Sequence, residues 1–497
     1  MNNGIYLGID FGTATNFVTK WDFKKTDAIP VENLGGYGGG YFWDNVIYYE
    51  SPTNHIVGEK AIKKGITEPL NFVKDIKRYI EDDKWCTKIK SINKELTAID
   101  VAADIFRVIK EKVEKNEGGR SIDGIVISVP FAFQHRERQK IKLAAENAGL
   151  KVMGLIEEPI AAAISFGLHS KSLENDKIEK ILVFDLGGGT FDVTIFDLIR
   201  KSDNSIKVEV LNTDGHKNLG GKDIDSMLVE QFLESLGYDG KEANILDEKK
   251  YKQDELALIL EAKKVKEELS EADEVDVYLA RLFDNCTLDI EGLTREEFNN
   301  WLRKNGFVSK VKEVLYNSLE EIDLDVSDIE RIILVGGSSN IPCIQDLIEK
   351  IFHRKAESKE DVGRLVGHGA GVYCGKLLDN SLNYEVITKV SHDIGIKLDG
   401  RFLKLIEKNQ RYETFSDYKE IGIGNQAETI KVGIYQGIYS NIDHCSLIGK
   451  ITLDDVSQLP EKKIRIKLGT DKNGIVKYIV TDVEGKVIKE GEVTSDE

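Results

Sequence analysis

The stretch ILVFDLGGGTFDVTIFDL, residues 181–198, sets three consecutive glycines and a threonine between two apolar, β-branched runs. Such runs read as buried strands, and the glycines between them as a tight hairpin turn. Glycine weakens a strand and leaves a gap where a side chain would pack, so three in a row mark a close approach to the backbone. A second segment, IYLGIDFGTATNFVTKW (5–21), repeats the plan of strand, aspartate, glycine turn with threonine, and strand. Asp10 and Asp185 hold corresponding positions near the end of each first strand. The pairing predicts an internally duplicated fold with one hairpin per half.

Working outward, each hairpin is followed by α/β material. SIDGIVISVPFAF (121–133) reads as a buried strand stopped by Pro130, and HRERQKIKLAAENAGL (135–150) as a helix ending near Gly149. VMGLIEEPIAAAISFGL (152–168) reads as a short strand, an acidic turn and a helix with Pro159 in its first turn. In residues 251–272, Leu256, Ile259, Ala262, Val265 and Leu269 recur at helical spacing. RIILVGGSSNIPCIQDLIEKIF (331–352) reads as strand, glycine turn and helix. After residue 383 the helical patterns stop, and short alternating runs with turns such as DKNG and VEGK predict an all-β domain over 391–497. The joining segment 384–390 is not rich in Gly or Ser and is expected to dock rather than dangle. GGYGGG at 35–40 reads as a mobile loop.

The 497 residues suffice for several domains, and 41% hydrophobic with 31% charged residues is ordinary for a globular chain. A net charge of −18 argues against a general nucleic-acid binder, whose phosphate contacts need a basic face. No run has the length of a membrane span, and the first residues lack a signal-peptide layout. Cys86, Cys286, Cys343, Cys374 and Cys445 are scattered, without CxxC or metal spacing, and read as reduced thiols. A cytoplasmic protein is expected.

Small residues in a tight turn expose backbone N–H groups that converge on an anion. FGTAT (11–15) and LGGGT (186–190) therefore suit two turns gripping opposite sides of a polyphosphate, with threonine hydroxyls as further donors. Asp10 and Asp185 would hold a divalent cation through water, since Mg²⁺ uses one or two carboxylates beside phosphates. The motif is neither a GxxxxGK[ST] phosphate loop nor a GxGxxG dinucleotide turn.

GIDFGTATN, KDIKRYI, SVPFAF, EEPIAAA, VFDLGGGTFDV, NLGGKDID, LTREEF and ILVGGSSNIP occur here in the order seen in the heat-shock protein 70 chaperone family. LIEKN, IYQG and GKITLDDV resemble that family's peptide-binding β-domain. The resemblance covers nearly the whole chain. It implies an α/β actin-like ATPase domain (1–383) of two ribonuclease-H-type lobes around a cleft. A linker (384–390) and a β-sandwich that binds extended peptides (391–497) would follow.

It further implies ATP and Mg²⁺ as ligands. Gly12, Thr13, Ala14, Gly187, Gly188, Gly189, Thr190, Gly220 and Gly221 match phosphate-binding positions. Lys266, Ser270, Gly336, Gly337 and Ser338 match the adenosine pocket. Asp10 and Asp185, with Asp192 nearby, match acids around the magnesium. Lys77 matches a catalytic lysine beside the γ-phosphate, and Glu158 an acid that orients the attacking water; Thr190 joins them. By itself Lys77 would be one lysine on a solvated helix face, and Glu158 a first-turn acid complementing a helix dipole. Pro130 and Arg138 match residues that relay nucleotide state toward the linker. Phe402, Ile430 and Val432 match a peptide pocket, while Ile434 reads as sandwich core. J-domain co-chaperones and nucleotide-exchange factors would be partners.

The pattern departs in places. Ala14 replaces a second turn threonine. Lys263 replaces a ribose-binding glutamate, and Glu267 and Asn340 replace arginines at the adenine, which implies looser, less base-selective binding. The family's helical lid is expected to be missing, leaving weak, rapidly exchanging peptide binding. Two functions are therefore carried forward: a slow magnesium-dependent ATPase chaperone, and a nucleotide-gated module holding one dedicated protein partner with little turnover.

Overall fold

The computed structural model describes residues 4–32, 34, 40–169, 174–202, 205–238, 246, 249–283, 285–357, 364–378, 384–398, 400–424, 427–437 and 442–494. The glycine loop expected at 35–40 falls, except for Gly40, outside the described residues. In the first sheet β1 (Ile5–Phe11) and β2 (Thr15–Asp22) form the anticipated hairpin, with Ile9 opposite Val18. β3 (Asp27–Pro30) extends the meander, and the short β4 (Phe42–Asp44) also pairs with β2. β5 (Ile122–Val129) and β6 (Val152–Glu157) add in parallel on the far side, giving the order β6-β5-β1-β2-β3.

The second sheet follows a similar plan. β7 (Ile178–Leu186), β8 (Phe191–Arg200) and β9 (Ile206–His216) form a meander, and β10 (Arg331–Val335) lies parallel to β7. Leu182, Val183, Phe184 and Leu186 have no exposed surface, as an unbroken apolar run requires when both faces of a strand are covered. Each sheet with its helices is called a lobe below. α1 (Ile76–Tyr79), α2 (His135–Asn147) and α3 (Glu158–His169) come from the first half of the chain. α4 (Gly221–Ser235), α5 (Lys252–Glu271) and α6 (Arg364–Leu378) come from the second.

Helix α6 joins the lobes at very short range. A Cβ on Gly8 of β1 would lie 2.1 Å from the Gly371 nitrogen, and one on Gly369 1.8 Å from the Ala161 carbonyl oxygen. No side chain fits at either contact, so the helix lies directly on β1 and α3. This determinant sits in GHGAGVYCG (367–375), a stretch that composition and periodicity had not singled out.

The joining segment does dock: β11 (Tyr384–Ile387) runs parallel to β9, with Ile206 opposite Tyr384, as the edge strand of the second sheet. Beyond it stand two four-stranded antiparallel sheets. One is ordered β13-β12-β15-β16, from β12 (Asp393–Leu398), β13 (Arg401–Ile406), β15 (Ile430–Gly437) and β16 (Ser446–Leu453). The other is β14 (Lys419–Gly422), β17 (Lys463–Thr470), β18 (Val476–Thr481) and β19 (Val487–Glu492). Ile396, Ile434, Ile451, Ile466 and Val480 from both sheets share one core.

This β-sandwich rests on the first lobe through buried polar contacts. Arg138 of α2 donates to Glu157 at 2.9 Å and to the Asn473 carbonyl at 3.2 Å, and the Tyr412 hydroxyl donates to Glu157 at 2.7 Å. The Leu155 N–H donates to Asn473 Oδ1 at 3.0 Å. His135 uses both ring nitrogens: Nδ1 accepts from the Val476 N–H at 3.1 Å, and Nε2 lies 2.6 Å from the Val493 carbonyl. Burial first of all pushes the His135 pKa down to about 4, so the imidazole is neutral.

Candidate functional site

Between the lobes lies a cavity of about 440 Å³. The two glycine turns form its inner wall. Their carbonyls are tied back one by one. Gly187 and Gly188 accept from the first N–H groups of α4, those of Gly221 and Lys222, each at 2.9 Å. Gly189 accepts from Arg78 Nη2 at 3.1 Å. On the other turn Gly12 accepts from Asn45 Nδ2 at 2.6 Å, Ala14 from the Asn45 N–H at 2.7 Å and Thr13 from Lys222 Nζ at 3.3 Å. The N–H groups of Thr13, Ala14, Gly188 and Gly189 have no acceptor among the described residues. Two turns with carbonyls withdrawn and donors unspent form a receptor for an anion.

The need for glycine here has a second cause besides a ligand. A Cβ on Gly188 would come within 2.8 Å of the Ala14 methyl, and one on Gly189 within 2.7 Å of the Thr13 methyl. A Cβ on Gly220 would meet the Gly189 nitrogen at 2.7 Å. The turns thus face each other across van der Waals distance. A larger residue at Ala14 would press on Gly188.

At the bottom of the cavity four acids and one cation share a buried space. Asp10 lies one residue before the end of β1, where Ser128 of the adjoining β5 donates to it at 2.7 Å. Asp185 and Asp192 stand directly opposite each other near the turn of the second hairpin. Lys77 Nζ lies 2.6 Å from Glu158 Oε1, and Lys77 is 3% exposed. Burial, then Glu158, push Asp10 up to about 7, and the same two causes raise Asp192 to about 7. Asp185 is also driven upward, by burial first and then by Glu158, Asp192 and Asp10. Among the described residues neither carboxylate oxygen of Asp192 has a well-formed hydrogen bond, although Thr190 and the Ala132 backbone hold its pKa down somewhat. Crowded, under-satisfied carboxylates of this kind fit a divalent cation, which would return them to the charged form. No three acidic, His or Cys side chains among the described residues converge as direct metal ligands, so contact through water suits the site better.

The outer end is built by α5 and the turn after β10. Lys266, Ser270, Gly336, Gly337 and Ser338 line the cavity, as do Gly12, Thr13, Ala14, Gly187, Gly188 and Thr190. Gly189, Gly220, Gly221 and Asp192 stand just behind this surface. Lys266 is already engaged, donating to Asp225 at 2.6 Å and to the Gly221 carbonyl at 3.1 Å. Lys263 reaches across the cleft to Asp44 at 2.8 Å, which holds its pKa above the ordinary lysine value although burial opposes this. Glu267 lines the cavity, and burial raises its carboxyl above the usual range. Asn340 does not reach the lining, and Leu256 and Ile259 of α5 contribute to the cavity wall.

A family model described as Hsp70 protein matches residues 6–497. The chain belongs to the heat-shock protein 70 family. Family members are ATP-dependent chaperones with an actin-like ATPase domain and a β-sandwich, and they typically bind ATP with magnesium; this chain is of that general kind. No helix among its described residues is long and apolar enough to cross a membrane.

On this heat-shock protein 70 sandwich the residues matched to a peptide pocket occupy different depths. Val432 and Ile434 belong to the core, whereas Ile430 and Phe402 are half-buried. Sequence reasoning also passed over Asn45, Asp75, Arg78 and Lys222. Arg78 and Lys222 stood inside quoted motifs, KDIKRYI and NLGGKDID, but each owes its contacts to the opposite lobe.

Proposed function

We propose that this protein hydrolyses ATP slowly and with magnesium in the cleft, and holds extended apolar peptides on its β-sandwich. The observation that carries the reading is the buried Lys77–Glu158 pair, 2.6 Å long, set among Asp10 and Asp185 beneath two donor-lined turns. Residues 1–383 would be a duplicated actin-like ATPase unit, 384–390 the linker and 391–497 the peptide-binding unit. The shared plan of the two sheets supports the duplication.

Asp10, Asp185 and Asp192 would hold the magnesium, whose charge would balance that of the phosphates. The turn N–H groups grip the phosphate oxygens from both sides. Lys77 offsets negative charge that grows at the γ-phosphate, and Glu158 orients both Lys77 and the attacking water. Phosphoryl transfer asks a protein mainly for such positioning and charge balance.

In single-turnover hydrolysis of labelled ATP, Lys77→Ala is expected to slow the reaction by about 10² or more, with nucleotide affinity changed only a few fold. Unchanged turnover in that variant defeats the assignment. A second reading, a nucleotide-gated module holding one partner, draws support from Lys266 and Lys263, both spent on Asp225 and Asp44. Tight nucleotide binding with negligible turnover, with or without an unfolded peptide, would favour it. J-domain co-chaperones and exchange factors are proposed partners on family grounds.

A further inference from the structure

Each glycine turn has one carbonyl held from across the cleft. Arg78 of α1, in the first lobe, donates to Gly189 of the second at 3.1 Å. Lys222 of α4, in the second lobe, donates to Thr13 of the first at 3.3 Å. Each cation is anchored by a carboxylate of the lobe it reaches. Asp223 takes Arg78 at 2.6 and 3.3 Å, and Asp75 is in direct contact with Lys222. The pairs are close in sequence, Asp75 with Arg78 and Lys222 with Asp223, so each element gives one cation and receives one.

Two further features suit this exchange. Asp75 has φ +63°, a left-handed conformation uncommon for a residue with a side chain, which aspartate tolerates better than most. Asp223 also accepts from the Gly220 N–H at 2.8 Å, fixing the start of α4 where Gly221 and Lys222 hold the second turn. A peptide group is planar, so holding the Gly189 carbonyl aims the Thr190 N–H, and holding the Thr13 carbonyl aims the Ala14 N–H. If either peptide turned over, a carbonyl oxygen would face the anion in place of a donor.

We infer that Arg78, Asp223, Lys222 and Asp75 form a reciprocal clamp that aligns the two phosphate-binding turns only when the lobes are closed. They are positioning residues for phosphoryl transfer, and this role rests on the reading of the cleft as an ATP site. A displacement of about 1 Å at such a site can cost about a hundredfold in rate.

The test uses the full chain with magnesium-ATP. Arg78→Ala and Lys222→Ala are each expected to lower the single-turnover rate at saturating ATP by about 10- to 100-fold. ATP affinity should fall by less than that, and release of a fluorescent ADP analogue should quicken in both variants. Arg78→Lys, which keeps the charge but cannot hold Asp223 and Gly189 together, should recover part of the rate. Cooperative melting near the native temperature establishes that the variants fold. Rates and ADP release within twofold of native in both folded alanine variants overturn the clamp, as does weakened binding with an unchanged rate. A native protein that takes up no magnesium-ATP overturns the reading of the cleft, and the clamp with it; a native protein that turns over beside unaffected variants overturns the clamp alone.

Discussion

Acidification should loosen the β-sandwich from the first lobe through His135. The ring accepts at Nδ1 from the Val476 N–H, so the proton sits on Nε2 and meets the Val493 carbonyl. A second proton could enter only at Nδ1, where it would face the Val476 N–H. In the docked protein the pKa is about 4, and in an undocked, solvated His135 it returns to the ordinary 6.5. Because the docked pKa is the lower one, docking is at full strength above pH 6.5, weakens as pH falls toward 4 and then levels off. The gap is worth roughly 3 kcal/mol, a weakening of about 300-fold. His392, also buried and pushed down to about 4, faces Lys217, Lys408 and Arg138 and acts in the same direction. Asp10 and Asp192, raised to about 7 by burial and then Glu158, owe their shifts to the cleft and not to any residue of the sandwich.

Amide hydrogen exchange, corrected for the intrinsic effect of pH, reads the open population directly. Protection of the Val476 amide should fall from pH 6.5 to pH 4.5 by more than tenfold. In His135→Gln, whose amide can donate to Val493 and accept from Val476 without titrating, most of that slope should vanish. A flat profile in the native protein, or the same slope in His135→Gln, would refute the reasoning.

Two other outcomes are expected. Glu267→Arg should tighten ATP by roughly 1 kcal/mol, about fivefold, by returning a planar cation to the outer end of the cavity; calorimetry showing native selectivity far in favour of ATP over GTP, with no gain in the variant, contradicts it. On the sandwich, Ile430→Asp should abolish binding of short fluorescent apolar peptides, which the native protein should release within seconds even with ADP; equal binding by the variant, or native trapping for many minutes, counts against a groove at Ile430 and Phe402.

The sequence alone determined the elements whose cause is local. Both hairpins were legible because a glycine turn and its alternating flanks lie within about twenty residues, and Asp185 and Asp192 then had to face each other. The all-β texture after residue 383 was legible for the same reason. Where an interaction joins distant segments, the residue types were legible but the tertiary structure decided their contacts. The buried charge of Lys77 is met by Glu158, 81 residues on. Lys266 matched a ligand-binding position, yet the fold sets it against Asp225. The glycines of 367–375 went unremarked until Phe17, Thr19 and Trp21 of β2 and the backbone of α3 closed on them at distances that exclude a side chain. Arg78 and Lys222 carried no signal of their own until the two lobes brought Arg78 to the Gly189 carbonyl and Lys222 to that of Thr13. Charge and close packing act through space, and only the folded chain decides which residues share that space.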